Sequence, residues 1–215
     1  MQVLMLLVAL AVPDSGRVAW KVPSQAHVSW NQWNSCCPST CKEVMIVVTM
    51  NRGKIDDLDL RNCECEIREK VQMLSEVDPE SSIDFLLAHL DDDPKDVTVA
   101  IALHEHPKVV PTLIDLARHN PDRKVRRDAL FWLGQKAGEK AVATLRRAVD
   151  EDPDDDVRQH AVFAISQLPR ERSVPILIEL AKTHKSRAVR KKAMFWLAQT
   201  GDERAIAVFE EILLR

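Results

Sequence analysis

From about residue 109 to the end of the chain, apolar positions recur at the three-and-four spacing of a helix that buries one stripe. The whole pattern then recurs at a shift of 32 residues: "VRRDALFWLGQKAGEKAVATL" (125–145), "VRQHAVFAISQLPRERSVPIL" (157–177) and "VRKKAMFWLAQTGDERAIAVF" (189–209). Val125, Val157 and Val189 form one column; Ala129, Ala161 and Ala193 a second; Phe131, Phe163 and Phe195 a third; Leu133, Ile165 and Leu197 a fourth; Gln135, Gln167 and Gln199 a fifth. A second helix follows each turn, through Val110, Val142, Val174 and Ile206, with Leu113, Leu145, Leu177 and Phe209 three positions on. Each unit is therefore a pair of helices, A then B, and neither helix can bury its stripe alone. Consecutive pairs must close the core between them, which is the physics of an α-solenoid. The small Ala column predicts close helix approach, and the Phe column is expected to fill the gap between units.

Earlier in the chain the period changes to two. "RVAWKVP", "AHVSW", "EVMIVVTM" and "KIDDLDL" read as strands, the last two joined at "NRG" as a hairpin. "ESSIDFLLAHL" starts a helix after Pro79, with Ser81 or Ser82 as the expected N-cap, and "DVTVAIALHEH" is an irregular partner for the first B helix. The fold class is mainly α: a solenoid over 79–215 behind a small β-rich, Cys-containing segment over 12–78. The apolar run from Val3 to Val12, with Ala9, Leu10 and Ala11 as a cleavage site, reads as a signal peptide over 1–11. It lacks a basic n-region, and a buried strand is the alternative. Export implies a periplasmic or secreted protein; without a signal it is cytoplasmic.

The turn residue before "VR" (Asp122, Asp154; Ser186 departs) and the Ala four positions after Val resemble the HEAT repeat, in its short bacterial, phycobilin-lyase-like form. The resemblance covers residues 95 to 215, and the chain is also similar to exported bacterial HEAT-repeat proteins. It implies architecture rather than activity. It also implies that the Arg126, Arg158 and Arg190 column meets the turn Asp of an adjacent unit, and that the B-helix face is the concave one.

Composition narrows the partners. A net charge of −3 removes the general phosphate attraction on which most nucleic-acid binding relies, and the apolar run is too short to span a bilayer. Cys36, Cys37, Cys41, Cys63 and Cys65 lie within 30 residues of one another, which in an exported chain reads as a disulfide framework with one thiol left over. Zinc would need paired knuckles that the spacing does not supply, and free buried thiols are the other reading. Trp20, Trp30 and Trp33 are read as core rather than as a ligand platform.

Signals for catalysis are weak. There is no phosphate loop, GxSxG, HExxH or CxxC. Among HEAT-like enzymes, deoxyhypusine hydroxylase binds iron through His-Glu pairs just before the Ala column. The matching positions here are Arg127 with Asp128, Gln159 with His160, and Lys191 with Lys192. The one His-Glu, His104 with Glu105, stands at a helix end and would leave iron under-coordinated. No catalytic residue, cofactor or metal ligand is assigned.

Charge is more informative. Arg118, Asp150 and Lys182 alternate in one B-helix column, and Asp115, Arg147, Glu179 and Glu211 in another. They are either a ladder of surface ion pairs or a mixed-charge docking groove. The turns alternate too, "RKVRR", "DEDPDDD", "KSRAVRKK", as a solvated ridge or a recognition site for a charged peptide. The expected function is a scaffold binding a partner protein in the cell envelope. The other classes are an accessory or lyase-like enzyme acting on a pigment or metal centre, and a purely structural envelope component. Apolar Ile212, Leu213 and Leu214 without a polar capping repeat predict self-association through the last repeat.

Overall fold

A computed structural model describes residues 12–24, 42–62, 70–136 and 138–213. The signal-peptide stretch 1–11, all five cysteines, Trp30, Trp33 and the strand expected at "AHVSW" lie outside these residues, as do the side chains of Ile212, Leu213 and Leu214. By internal contacts the chain divides into two compact units, 1–109 and 110–215.

The first unit is built on a four-stranded sheet, ordered β3-β2-β1-β4, of β1 (Gly16–Pro23), β2 (Glu43–Asn51), β3 (Lys54–Asn62) and β4 (Gln72–Met73). Strands β1, β2 and β3 run antiparallel in turn, and β4 pairs parallel with β1. The "NRG" hairpin is tight because Arg52 (φ 54°) and Gly53 (φ 74°) are both left-handed, the geometry that matches strand twist. A register shift opposite Thr49/Met50 leaves Asp56 unpaired, so Ile55, Leu58 and Leu60 can all point inward despite the Asp56-Asp57 doublet. Central β1 and β2 read as continuous apolar runs because both faces are used. Ala19, Met45 and Val47 pack on one side with Val71.

On the other face Trp20 packs edge-on to Phe85, 5.7 Å between ring centres. Phe85 belongs to α1 (Pro79–Ala88), which is followed by α2 (Pro94–Leu103). The expected cap of α1 is corrected. Asp78 is the N-cap, its side chain accepting from Ser81 N, while Ser82 faces inward and is fully buried. Pro79 fits the first helical position, where its missing N–H costs nothing, so the start moves upstream of the serines. Ser82 Oγ accepts from Trp20 Nε1 (2.8 Å) and lies 2.9 Å from His104 Nε2. The other ring nitrogen of His104 is 2.8 Å from Ala100 O.

The second unit holds α3 (Val109–His119, from Val110), then the A helices α4 (Arg123–Lys136), α6 (Asp155–Ser166) and α8 (Arg187–Gln199). These alternate with the B helices α5 (Glu139–Glu151), α7 (Arg170–Thr183) and α9 (Glu203–Leu213). The Val and Ala columns of the A helices are buried, as is the Leu113, Leu145 and Leu177 column. Two columns depart from expectation. Phe131 and Phe163 are only half-buried and Phe195 is 52% exposed, while Ile206 is 60% exposed. In α5 and α9 the inward position lies one residue earlier, at Ala141 and Ala205, while in α7 the expected Val174 is buried together with Ser173. A periodic pattern does not fix the rotation of a stripe to within one residue, and the neighbouring helices decide it.

The turn column caps the helices. Asp154 accepts from the Asp156 and Val157 amides and Ser186 from Val189. The Asp154 carboxyl is held below the usual range, first by the Val157 N–H bond. The Arg column is structural, but its contacts differ from those the resemblance implies. Arg126, Arg158 and Arg190 each donate to the carbonyl six residues back, at Asn120, Asp152 and His184. Only Arg126 adds a cross-repeat carboxylate, and that is Asp152 rather than the turn residue Asp154.

Gly134 marks a close approach of α4 to α6. A Cβ there would stand 2.6 Å from Ala164 O, a backbone atom that cannot swing away. Gly134→Ala should therefore lower stability by about 1–3 kcal/mol, although the same change at an open helix position would raise it by about 1 kcal/mol. A thermal melt of the variant above that of the parent protein would refute the close approach.

Candidate partner-binding faces

The B-helix face and the A-helix face of the second unit handle charge differently. Along the B helices several charges pair with one another, while Arg118 has no carboxylate partner among the described residues. Arg146 meets Glu179 across a repeat at 2.6 Å, and Lys182 meets Glu211 at 2.5 Å. Arg147 bonds Glu151 and Asp115 bonds His119 within their own helices, at 2.5 and 2.8 Å. His184 Nε2 stands 3.3 Å from Asp150 but without hydrogen-bond geometry, so the two are electrostatic neighbours only. Of the columns read from sequence, Lys182 and Glu211 are brought together. Glu179 finds Arg146, one position away from the Arg147 that the column named. Arg118 and Arg147 line a cleft of about 210 Å³ with Thr144 and Glu151.

The A helices carry a different surface. Arg127 on α4, Asp156, Gln159, His160 and Phe163 on α6, and Lys192 and Trp196 on α8 line a groove of about 450 Å³. The helical three-and-four spacing places His160 below Phe163, and Lys192 below Phe195 and Trp196. The rings run on from helix to helix. Phe131 and Phe163 stack with centres 6.0 Å apart, and Phe163 lies 4.9 Å from Trp196. Lys192 Nζ sits 5.8 Å from the centres of both Phe195 and Trp196, within cation–π range.

Among the described residues, neither Arg127 nor Lys192 has a carboxylate partner. Arg127 Nε and Trp196 Nε1 are both shielded from solvent without an acceptor. Asp156, the acid lining the groove, instead reaches Arg123 at 3.4 Å. Along the sequence Arg127, His160 and Lys192 stand at the positions where iron-binding pairs would fall, and Arg127 and Lys192 also end the basic turns "RKVRR" and "KSRAVRKK". The overlooked signal was a basic or imidazole residue three or four positions before each aromatic one.

His160 is pushed down to about 4, mainly by burial and then by Arg127 and Lys192. Its folded pKa lies below the unfolded value of about 6.5, so between the two the unfolded chain binds the extra proton. Stability should be full above pH 6.5 and decline as pH falls toward 4. The loss should be about 1–2 kcal/mol, discounted from the full shift because the ring is partly solvated. His160→Gln should remove that slope from a series of urea melts between pH 7 and 4; an unchanged slope would exclude His160 as its source.

Among the described residues no helix is long and apolar enough to cross a membrane, and no group of three or more His, Cys, Asp or Glu is placed to hold a metal ion. His104 of the single His-Glu dipeptide is fully buried and bonded to Ser82 and Ala100.

The family model for HEAT repeats matches residues 110–161 and 149–215. No curated protein sequence matches the chain. Among solved structures, the chain is similar to one in the complex of CpcE and CpcF of phycocyanin lyase from Nostoc sp. PCC7120. The identity is 16% and the TM-score 0.46, over 63% of this chain and 91% of that one. The 32-residue register, the helix pairs stacked on buried Val, Ala and Leu columns and the family match agree: this is a HEAT-repeat protein, its repeats filling residues 110–215.

Proposed function

We propose that the chain is a scaffold that binds a partner protein in the cell envelope, and that the partner docks on the A-helix face. One observation carries the choice of face: the aromatic row through Phe131, Phe163, Trp196 and Phe195 stays partly open beside Arg127 and Lys192, which have no carboxylate partner among the described residues, whereas on the B helices Arg146, Arg147 and Lys182 are each paired with a glutamate. Aromatic side chains with Arg nearby are the residues that dominate protein interfaces. Helices held by buried columns present such a row without an ordering cost. The envelope placement rests on the apolar run at 3–12 and the clustered cysteines.

A photo-crosslinking residue placed at Phe195 in the full chain, expressed in its native cells, should trap one saturable partner that fractionates with the envelope. The same residue at Arg147 on the B helices should trap much less. Equal trapping at both positions, or none at Phe195, would count against the assignment.

A further inference from the structure

We propose that the A-helix groove is selective for an acidic segment of its partner, taking a Glu or Asp carboxylate between Arg127 and Lys192 and a neighbouring aromatic or apolar side chain against Phe163 and Trp196. The inference rests on the A-helix face being the docking face. It adds the chemistry of what docks there.

Charge complementarity identifies the occupant. Two cations converge from α4 and α8 on the same stretch of α6, close enough for both to act on His160. Among the described residues neither is neutralised. Arg127 and Trp196 both line this groove, although Arg127 Nε and Trp196 Nε1 are themselves shielded from solvent. A carboxylate offers the Arg127 guanidinium and the Lys192 ammonium an acceptor and an opposite charge together. The wall is aromatic, with Phe163 and Trp196 4.9 Å apart, so the residue beside the carboxylate should be flat or apolar. Two cations on a chain of net charge −3 suit one or two carboxylates better than a run of phosphodiesters.

The test uses the full chain and three fluorescein-labelled peptides of equal length, differing only in a central Glu-Trp, Gln-Trp or Lys-Trp pair. Fluorescence anisotropy should show the Glu peptide binding at least about tenfold more tightly than the Gln peptide, and the Lys peptide weakest. Lys192→Gln should cut the Glu-over-Gln preference to about twofold or less, and Arg127→Gln should do the same. If Arg127→Gln does not fold, Lys192→Gln decides alone, because its side chain lies on the groove rim rather than in the core.

Equal affinity for Glu and Gln peptides, lost in Phe195→Ser, would overturn the acidic selectivity while leaving the docking face standing. Binding insensitive to Phe195→Ser, Lys192→Gln and Arg127→Gln alike would overturn both. Failure of all three peptides to bind would overturn the acidic groove, and so would tighter binding of a labelled single-stranded oligonucleotide at Lys192. Self-association of the chain that Lys192→Gln abolishes would also overturn it, since the occupant would then be a second copy.

Discussion

Arg126→Ala should destabilise the repeat unit by about 3–5 kcal/mol. Arg126 and Asp152 are each 8% exposed, and they meet through two bonds, Nε to Oδ2 at 2.9 Å and Nη2 to Oδ1 at 3.1 Å. The remaining guanidinium nitrogen donates to the carbonyls of Asn120 and Pro121 at 3.0 and 3.1 Å. One side chain thus ties the end of α3 to the end of α5. Removing it strands a buried carboxylate and two carbonyls at once, and that desolvation cost exceeds what the pair contributes by attraction. Asp152→Ala should be comparably damaging because it leaves the guanidinium uncompensated. Asp152→Ala on the Arg126→Ala background should then add little, since the stranded charge is already gone. Urea melts of the two single variants and the double variant measure this; additive losses would show that the two side chains act independently.

Ser82→Ala is the counterpart in the first unit, with an expected cost of about 2–5 kcal/mol for the loss of one oxygen. Ser82 Oγ is the acceptor for Trp20 Nε1 at 2.8 Å and the neighbour of His104 Nε2 at 2.9 Å, and all three residues are fully buried. With the ring neutral, Nδ1 carries the proton given to Ala100 O, so Nε2 must accept, and the Ser82 hydroxyl supplies that proton. Alanine removes the acceptor of the Trp20 indole N–H and the hydroxyl that meets His104 Nε2 in the core. A Ser–His contact can suggest a nucleophile, but this one has no open side from which a substrate could approach. The loss should appear in a urea melt followed by Trp fluorescence, and Ser82→Thr should recover much of it by restoring the hydroxyl. A Ser82→Ala protein as stable as its parent would mean that the three-residue chain contributes nothing.

These two sites also separate what can be read from a sequence from what cannot. The repeat, its 32-residue register, the helix pairs and the hairpin through Arg52 and Gly53 were legible because each depends on local period or on the backbone conformation of a turn. The Arg126 column was legible as structural, but its buried carboxylate was not. Asp152 and the turn residue Asp154 are near neighbours in an acidic run, and only helix packing decides which of them faces inward. Ser82 looked like a cap because capping is a local rule; its role as a buried bridge is set by Trp20 and His104, far away in the chain.

The same division governs the candidate site. Sequence by itself determined that stacked helices hide each other's Val, Ala and Leu columns, since burying apolar surface at a fixed period leaves few alternatives. It also supplied every charge on both faces. Tertiary structure alone decided which charges meet. A pair such as Arg146 and Glu179 depends on helix rotation and on the reach of long side chains across about 10 Å, and neither is encoded in column spacing. For that reason the face that looked busiest along the chain turned out to be largely occupied by its own ion pairs. The groove through Arg127, His160, Lys192 and Trp196 emerged only when three separate helices were set side by side.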